Sequence, residues 1–311
     1  MEKIICTAYG DSLKNKGIAI IEEDKKIQYL TVSGKCNFCI EHDGVIYASV
    51  QNEKNQILEF KRSEGAYSLA GAYETEYFYS HGCMFEGKLI LASFSDGLDA
   101  IYDPDIHKVV DTYIHRREGR IDRGRSHYVG VTPDGKYIYS VDNGLQQICL
   151  YEIKDGKFVL LDIREFSEEN IRLMPYSSFS NCAYLNTEVT NRIYVMSYEQ
   201  ERFHIRSIEN MESSEKCFSG GNSISADGKR LCVSLRGDDF LHYYKIREDG
   251  TLDLLCRKKC GEMPRDIAFK NDRIYVSCTG SNEIEIYDIK NDQLEKVDEI
   301  PIIQPITFAC A

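Results

Sequence analysis

Apolar and polar residues alternate along most of this chain in short runs, and the runs come in pairs. Val131–Asp142 (VTPDGKYIYSVD) is echoed by Ile224–Ser234 (ISADGKRLCVS), and more faintly by Ile40–Ser49 (IEHDGVIYAS), Met84–Ser93 (MFEGKLILAS) and Ile267–Ser277 (IAFKNDRIYVS). Alternation with period two is the signature of a strand with one buried face. Each pair is split by Asp-Gly or a relative, where glycine supplies a positive φ without steric cost, so each copy predicts a β-hairpin. Helical periodicity is weak throughout. Its best instance, Ser167–Met174, predicts one or two turns with Ser167 as cap.

The spacing of the hairpins sets the architecture. Their turn residues Gly44, Gly87, Gly135, Gly228 and Asp272 lie 43, 48, 93 and 44 positions apart. The long interval is two periods, with a degenerate turn expected near Thr187 to Asn191. A period of roughly 45 residues is a four-stranded propeller blade rather than a helical or leucine-rich repeat. The 311 residues then predict one all-β domain over the whole chain: a seven-bladed β-propeller of four-stranded antiparallel blades. Blade four reads Tyr128–Thr132, Tyr137–Val141, Gln147–Ile153 and Phe158–Ile163. Blade six reads Ser223–Ser225, Arg230–Ser234, Phe240–Ile246 and Leu252–Lys258. The chain opens on what match second and third strands (Ile4–Gly10, Gly17–Ile21) and ends on an inner strand without a successor (Gln304–Cys310). The C-terminal strand is therefore expected in blade one, closing the ring and protecting its edge.

Composition narrows the function. The net charge of −12 disfavours nucleic acid, whose binding depends on neutralising phosphates. No run of 18 apolar residues suggests a membrane span. The opening residues read as a strand and lack the regions of a signal peptide, which gives a cytoplasmic expectation. In that setting the 12 cysteines are expected as reduced thiols, several of them core hydrophobes on strands. Cys36 with Cys39, and Cys256 with Cys260, resemble zinc half-sites. Residues three apart on a strand point to opposite faces and no matching pair lies nearby, so no metal is expected. The basic stretch Arg116–Arg125 reads either as a solvated loop or as an anion-attracting rim.

The repeat also locates the candidate chemistry. The start of a blade's first strand and the end of its second reach the same face of the ring. Counting back from the turn Asp gives His127 in blade four and Arg265 in blade seven; counting forward gives Asn143 and Arg236. The other second-strand ends in this frame are Tyr9, Gln51, Phe94, Tyr198 and Thr279. Two arginines, a histidine and neutral polar groups at equivalent positions of an acidic protein point to a pocket for a small anion. His127 suits an acid or base near neutral pH. Arg236 and Arg265 suit an oxyanion or a substrate carboxylate. Each also has a structural reading: a histidine bridging blades, an Arg265 ion pair with Asp266 or Asp142, and a local pair of Arg236 with Asp238 or Asp239. No nucleophile elbow, zinc helix, Walker loop or dinucleotide fingerprint occurs, and no cofactor is implied.

The chain resembles the seven-bladed propeller lactonases, a family of cycloisomerase-type 6-phosphogluconolactonases and carboxy-muconate lactonising enzymes. The matching stretches are Lys16–Ile20 (KGIAI), Ser126–Lys136 (SHYVGVTPDGK), Val233–Asp239 (VSLRGDD), Pro264–Phe269 (PRDIAF) and Gln304–Phe308 (QPITF). The resemblance implies a hydrolase opening a small anionic, sugar-acid type lactone, or a related lactonising isomerase. In it His127 acts as acid or base, Arg236 and Arg265 bind the anion, and Asn143 and Gln51 orient it, with Tyr9 and Tyr198 alongside. It also implies an Arg at the start of blade five and a Glu ending that blade's second strand. In the frame counted above, Ser177–Cys182 holds no Arg, and Tyr198 takes the acid's place with Glu199 displaced by one. The alternative, of a different class, is a non-catalytic propeller that binds a small anion or a protein partner. Neither reading fixes an oligomeric state.

Overall fold

The computed structural model describes residues 3–10, 17–22, 26–119, 123–167 and 169–309. They form β-strands and turns, with no α-helix among them. The strands assemble into seven sheets of four antiparallel strands, the blades of a β-propeller. The chain divides into two compact units, one within Met1–Val131, Lys136–Ile163 and Pro305–Ala311, the other within Thr132–Gly135 and Arg164–Gln304.

In the first unit, blade one consists of β1 (Lys3–Ala8), β2 (Gly17–Glu22) and β3 (Ile27–Thr31), completed by the last strand of the chain, β28 (Pro305–Phe308). The order β28-β1-β2-β3 places the C-terminal strand on β1 as expected. Ala309 N donates to Ile5 O at 2.8 Å, and the Thr7 and Thr307 hydroxyls meet at 2.9 Å. Blade two is β4 (Lys35–His42), β5 (Val45–Gln51), β6 (Asn55–Ser63) and β7 (Ala66–Thr75). Blade three is β8 (His81–Phe85), β9 (Lys88–Ser93), β10 (Leu98–Asp103) and β11 (Lys108–Ile114). Blade four is β12 (Ser126–Val131), β13 (Ile138–Asp142), β14 (Gln147–Lys154) and β15 (Lys157–Glu165). The hairpin turns of blades two and three hold both central residues at positive φ, Asp43 at 49° with Gly44 at 76° and Glu86 at 47° with Gly87 at 75°. Such turns match the twist of the flanking strands.

The second unit holds three blades. Blade five is β16 (Tyr176–Ser177), β17 (Cys182–Asn186), β18 (Arg192–Glu199) and β19 (Arg202–Asn210). Blade six is β20 (Phe218–Ile224), β21 (Arg230–Arg236), β22 (Phe240–Ile246) and β23 (Leu252–Lys259). Blade seven is β24 (Pro264–Lys270), β25 (Arg273–Cys278), β26 (Glu283–Lys290) and β27 (Gln293–Pro301). The helical turns expected at Ser167–Met174 do not form in its described part; Glu168 lies outside the described residues. Ile171 bridges Thr187, and Arg172 N donates to Asn186 O at 2.9 Å. Pro175 follows directly, and proline drives the residue before it away from helical geometry.

The cores lie between neighbouring blades of each unit. Phe38, Ile40 and Ile57 of blade two pack with Leu89, Leu91 and Tyr102 of blade three. Tyr184 and Val195 of blade five pack with Leu231, Val233 and Tyr244 of blade six.

One irregularity recurs on the inner strands. Register slips by one residue between Cys36 and Phe38, between Ser126 and Tyr128, and between Pro264 and Asp266. The residues set out of register are Asn37, His127 and Arg265. In blade five, Arg172 N donates to Asn186 O while Asn186 N donates to Leu173 O, so Arg172 and Leu173 together face one residue. In blade six the slip spans Gly220 and Gly221. Bulges re-aim a side chain and bend the strand locally. The bulge at Asn37 also overturns one sequence argument. By removing a position from the alternation it puts Cys36 and Cys39 in the same core cluster rather than on opposite faces. Burial pushes the Cys36 thiol up to about 12. The described cysteines are free thiols, and no group of ligands suited to a metal ion is found among the described residues.

Candidate active site

The second unit brings two arginines onto one carboxylate, with the charge of a third arginine acting on one of them. Glu188 follows the end of β17. Its Oε1 accepts from Arg236 Nη2 at 2.5 Å and from Arg172 Nη1 at 3.2 Å. Arg236, the last residue of β21, also donates to Ser219 O at 2.9 Å, and Ser219 N donates to Glu188 O at 2.9 Å. These bonds tie the end of blade five's second strand to the start of blade six's first. Arg265 stands on the bulge of β24, and its side chain makes no hydrogen bond or ion pair among the described residues. Gly220 and Gly221 permit the approach of this segment. A Cβ on Gly220 would sit 2.7 Å from Pro264 O, and one on Gly221 2.8 Å from the Asp266 Cα.

The electrostatics of this cluster are unbalanced. Arg172 is buried. Burial, with the charges of Arg236 and then Arg265 beside it, lowers its pKa to about 9, against the pull of Glu188 and Asp266. Removing a guanidinium from water costs several kcal/mol unless its partner is well placed. Here one carboxylate serves two guanidiniums, so an additional anion at this position relieves like-charge repulsion.

In the first unit His127 stands on the bulge of β12, with its ring edge-on to Phe94 at 5.4 Å between centroids and 82° between planes. Arg125 lies over the same Phe94 ring at 5.5 Å. Asn143 is buried just past β13, its N–H donating to Arg125 O at 2.9 Å. Tyr9 donates its hydroxyl to Asn37 Oδ1 at 2.5 Å, and Gln51 Nε2 donates to Asn55 Oδ1 at 3.2 Å. In the basic stretch, Arg117 donates to Leu145 O at 2.7 Å and Arg123 pairs with Asp96 at 3.2 Å; residues 120–122 lie outside the described residues.

Two sequence assignments need correction. Tyr198 and Glu199 were placed at the end of a second strand. They end the third, β18, opposite Phe203 and Arg202. Since β18 runs antiparallel to β17, Glu199 lies at the other end of the blade from Glu188. The cause is a frame slip. The first hairpin of blade five turns at 178–181, where Asn181 takes φ 52°, and the turn at Thr187–Asn191 joins the second and third strands instead. In the corrected frame Arg172 lies just ahead of the inner strand of blade five, its N–H donating to Asn186 O, and Glu188 follows the second strand. The counted frame held neither an Arg nor a Glu at these places. Asn181 midway between Gly135 and Gly228 was the available signal, since Asn tolerates the left-handed region. Arg236 pairs with Glu188 rather than with Asp238 or Asp239.

A propeller of four-stranded blades bearing an arginine-rich cluster where first strands begin and second strands end defines the class. The chain belongs to the lactonase, seven-bladed β-propeller family, whose model matches residues 23–307. An uncharacterised protein of Staphylococcus epidermidis is 24% identical over 272 residues, covering 83% of this chain and 76% of its own. Among solved structures, a Bacteroides uniformis protein provisionally described as a 6-phosphogluconolactonase superposes with a TM-score of 0.86 at 17% identity, covering 99% of each chain. The periplasmic gluconolactonase PpgL of Pseudomonas aeruginosa superposes with a TM-score of 0.83 at 18% identity, covering 98% of each chain. At these identities the structural likeness speaks for the fold.

Proposed function

We propose that this protein hydrolyses a small anionic lactone of the sugar-acid type, in the manner of a 6-phosphogluconolactonase. The observation that carries the reading is the cluster in which Arg172 and Arg236 share Glu188 while Arg265, close enough for its charge to act on Arg172, makes no hydrogen bond or ion pair among the described residues. Opening a lactone requires water to attack the ring carbonyl, charge to build on its oxygen, and the ring C–O bond to break with a proton reaching the departing alkoxide. Guanidiniums fit the first charge and any carboxylate or phosphate on the substrate. Glu188 holds two of them in place. His127, the candidate acid or base of the sequence, occupies in its own blade the bulge position that carries Arg172 and Arg265 in theirs.

The test is a pH-stat panel of sugar-acid and aromatic-acid lactones, corrected for spontaneous opening, on wild type, His127→Ala and Arg172→Gln. The reading expects turnover in wild type, its loss in both variants, and little change in folding for His127→Ala. Saturable anion binding without turnover on any lactone would replace it with the non-catalytic alternative. Unchanged turnover in His127→Ala would remove the histidine's assignment.

A further inference from the structure

The arginine cluster has an apolar border that neither folding nor the chemistry above uses. Phe218 is 45% exposed, although aromatic rings in this protein are otherwise largely interior. It opens β20 directly opposite Arg236 in the register of β21, and the next residue, Ser219, accepts from the Arg236 guanidinium. Directly opposed residues of an antiparallel pair project to the same face, so the ring and the Arg236 side chain leave the sheet on one side. Two more exposed apolar residues adjoin the cluster in the chain. Val189, 51% exposed, follows Glu188, and Met263, 46% exposed, lies just ahead of Arg265. Met263 is held at φ 54°, with its N–H donating to Asp239 Oδ1 at 2.9 Å.

We propose that Phe218 is the platform on which the ring of a cyclic substrate lies while Arg236 and its neighbours hold the substrate's anionic group. This rests on the functional reading above and adds the shape of the ligand: a ring with an apolar C–H face next to its acid group. An open-chain acid of equal charge satisfies the arginines but leaves the phenyl face in water. The protein therefore prefers the closed ring to the opened acid, which favours uptake of substrate over retention of product. Phe218 acts as a positioning and specificity residue and takes no proton and forms no bond.

The experiment compares binding of glucuronate, a ring carboxylate, with gluconate, the open-chain acid, by calorimetry on the full chain. It uses wild type, Phe218→Ala and Phe218→Tyr, with inorganic phosphate as a probe of charge alone. Expected are tighter binding of glucuronate by wild type and a loss of about fivefold to tenfold for glucuronate in Phe218→Ala, the scale of one aromatic contact. Gluconate and phosphate should stay within about twofold, and Phe218→Tyr should restore the preference. Equal binding of the two acids by wild type, or an equal loss for all three ligands in Phe218→Ala, overturns the platform and leaves the anion site standing. Failure of wild type to bind any of the three overturns the functional reading itself, and the platform with it.

Discussion

Arg236 Nη2 lies 2.5 Å from Glu188 Oε1, an ion pair joining the last residue of β21 to the turn that follows β17. Both side chains are mostly buried, 13% and 23% exposed, and the same oxygen also receives Arg172. Glu188→Gln removes the carboxylate that the two guanidiniums share. Breaking a buried pair costs about 3–5 kcal/mol; partial exposure lowers that here to about 2, or roughly 5 °C in Tm for a chain of this size. The anion affinity should move the other way. With one negative charge gone, phosphate should bind about fivefold tighter at low salt, with the gain shrinking as salt rises. Calorimetric scans and phosphate titrations on the one variant check both signs. Weakened phosphate binding would show that Glu188 builds the anion site rather than competing for it.

Arg265 supplies the complementary case. Its guanidinium makes no hydrogen bond or ion pair among the described residues, so Arg265→Gln breaks none with them. Stability should change by less than about 0.5 kcal/mol, as for ordinary surface substitutions. Phosphate binding should weaken about tenfold, the scale of one charge-assisted contact. A Tm loss comparable to that of Glu188→Gln would assign Arg265 a structural role instead.

These two residues illustrate what the sequence made legible. Arg265 was found by counting from a marked hairpin, because an Asp-Gly turn or a relative announces the frame of its blade. Glu188 was missed because blade five turns through Phe179, Ser180 and Asn181 without glycine, and the count fell onto the next turn. The strands, the blade number and the C-terminal strand of blade one follow from alternation and spacing, which are local properties. The bulges that carry Asn37, His127, Arg172 and Arg265 leave no mark in composition. They are long-range register events, decided by what the neighbouring strand can pair with. That is also why Cys36 and Cys39 share a core cluster that strict alternation denies them.

A second buried charge system, within the first unit, makes stability depend on pH. His115 is fully buried in the first unit. Its Nε2 lies 2.7 Å from Asp99 Oδ2 and its Nδ1 2.7 Å from Asp142 Oδ2, the latter an ion pair by distance with the N–H aimed off the oxygen. Burial by itself depresses an imidazole pKa. The charge of Asp99, the close contact with Asp142 and the bond to Asp99 together outweigh it and hold His115 well above its ordinary value. A raised folded pKa contributes stability that is complete below the unfolded value of about 6.5 and is lost as pH rises through the folded value. The slope cannot exceed about 1.4 kcal/mol per pH unit for one proton. The gap in Tm between wild type and His115→Gln should therefore be largest near pH 6 and narrow steadily towards pH 9. A gap that stays constant would mean the imidazole contributes through packing and hydrogen bonds alone.

The C-terminal strand offers the most direct test of how blade one is completed. Ile306 and Phe308 are buried at 1% and 6% exposure, and β28 covers the edge of β1 that otherwise presents unpaired N–H and C=O groups. Phe308→Ala should cost about 3 kcal/mol by the usual cavity cost. Deleting residues 304–311 removes both apolar side chains and the strand pairing together, and should lower Tm by more than 10 °C and expose β1 to association. A frayed tail predicts almost no effect. The decisive measurement is addition in trans. A synthetic peptide of residues 304–311 can re-form the strand by edge addition, so it should raise the Tm of the truncated protein in a saturable, concentration-dependent way. The same peptide with Phe308 replaced by Ala should do so only weakly. If the native peptide gives no recovery although the truncated chain remains folded, then β28 is not required to complete the blade.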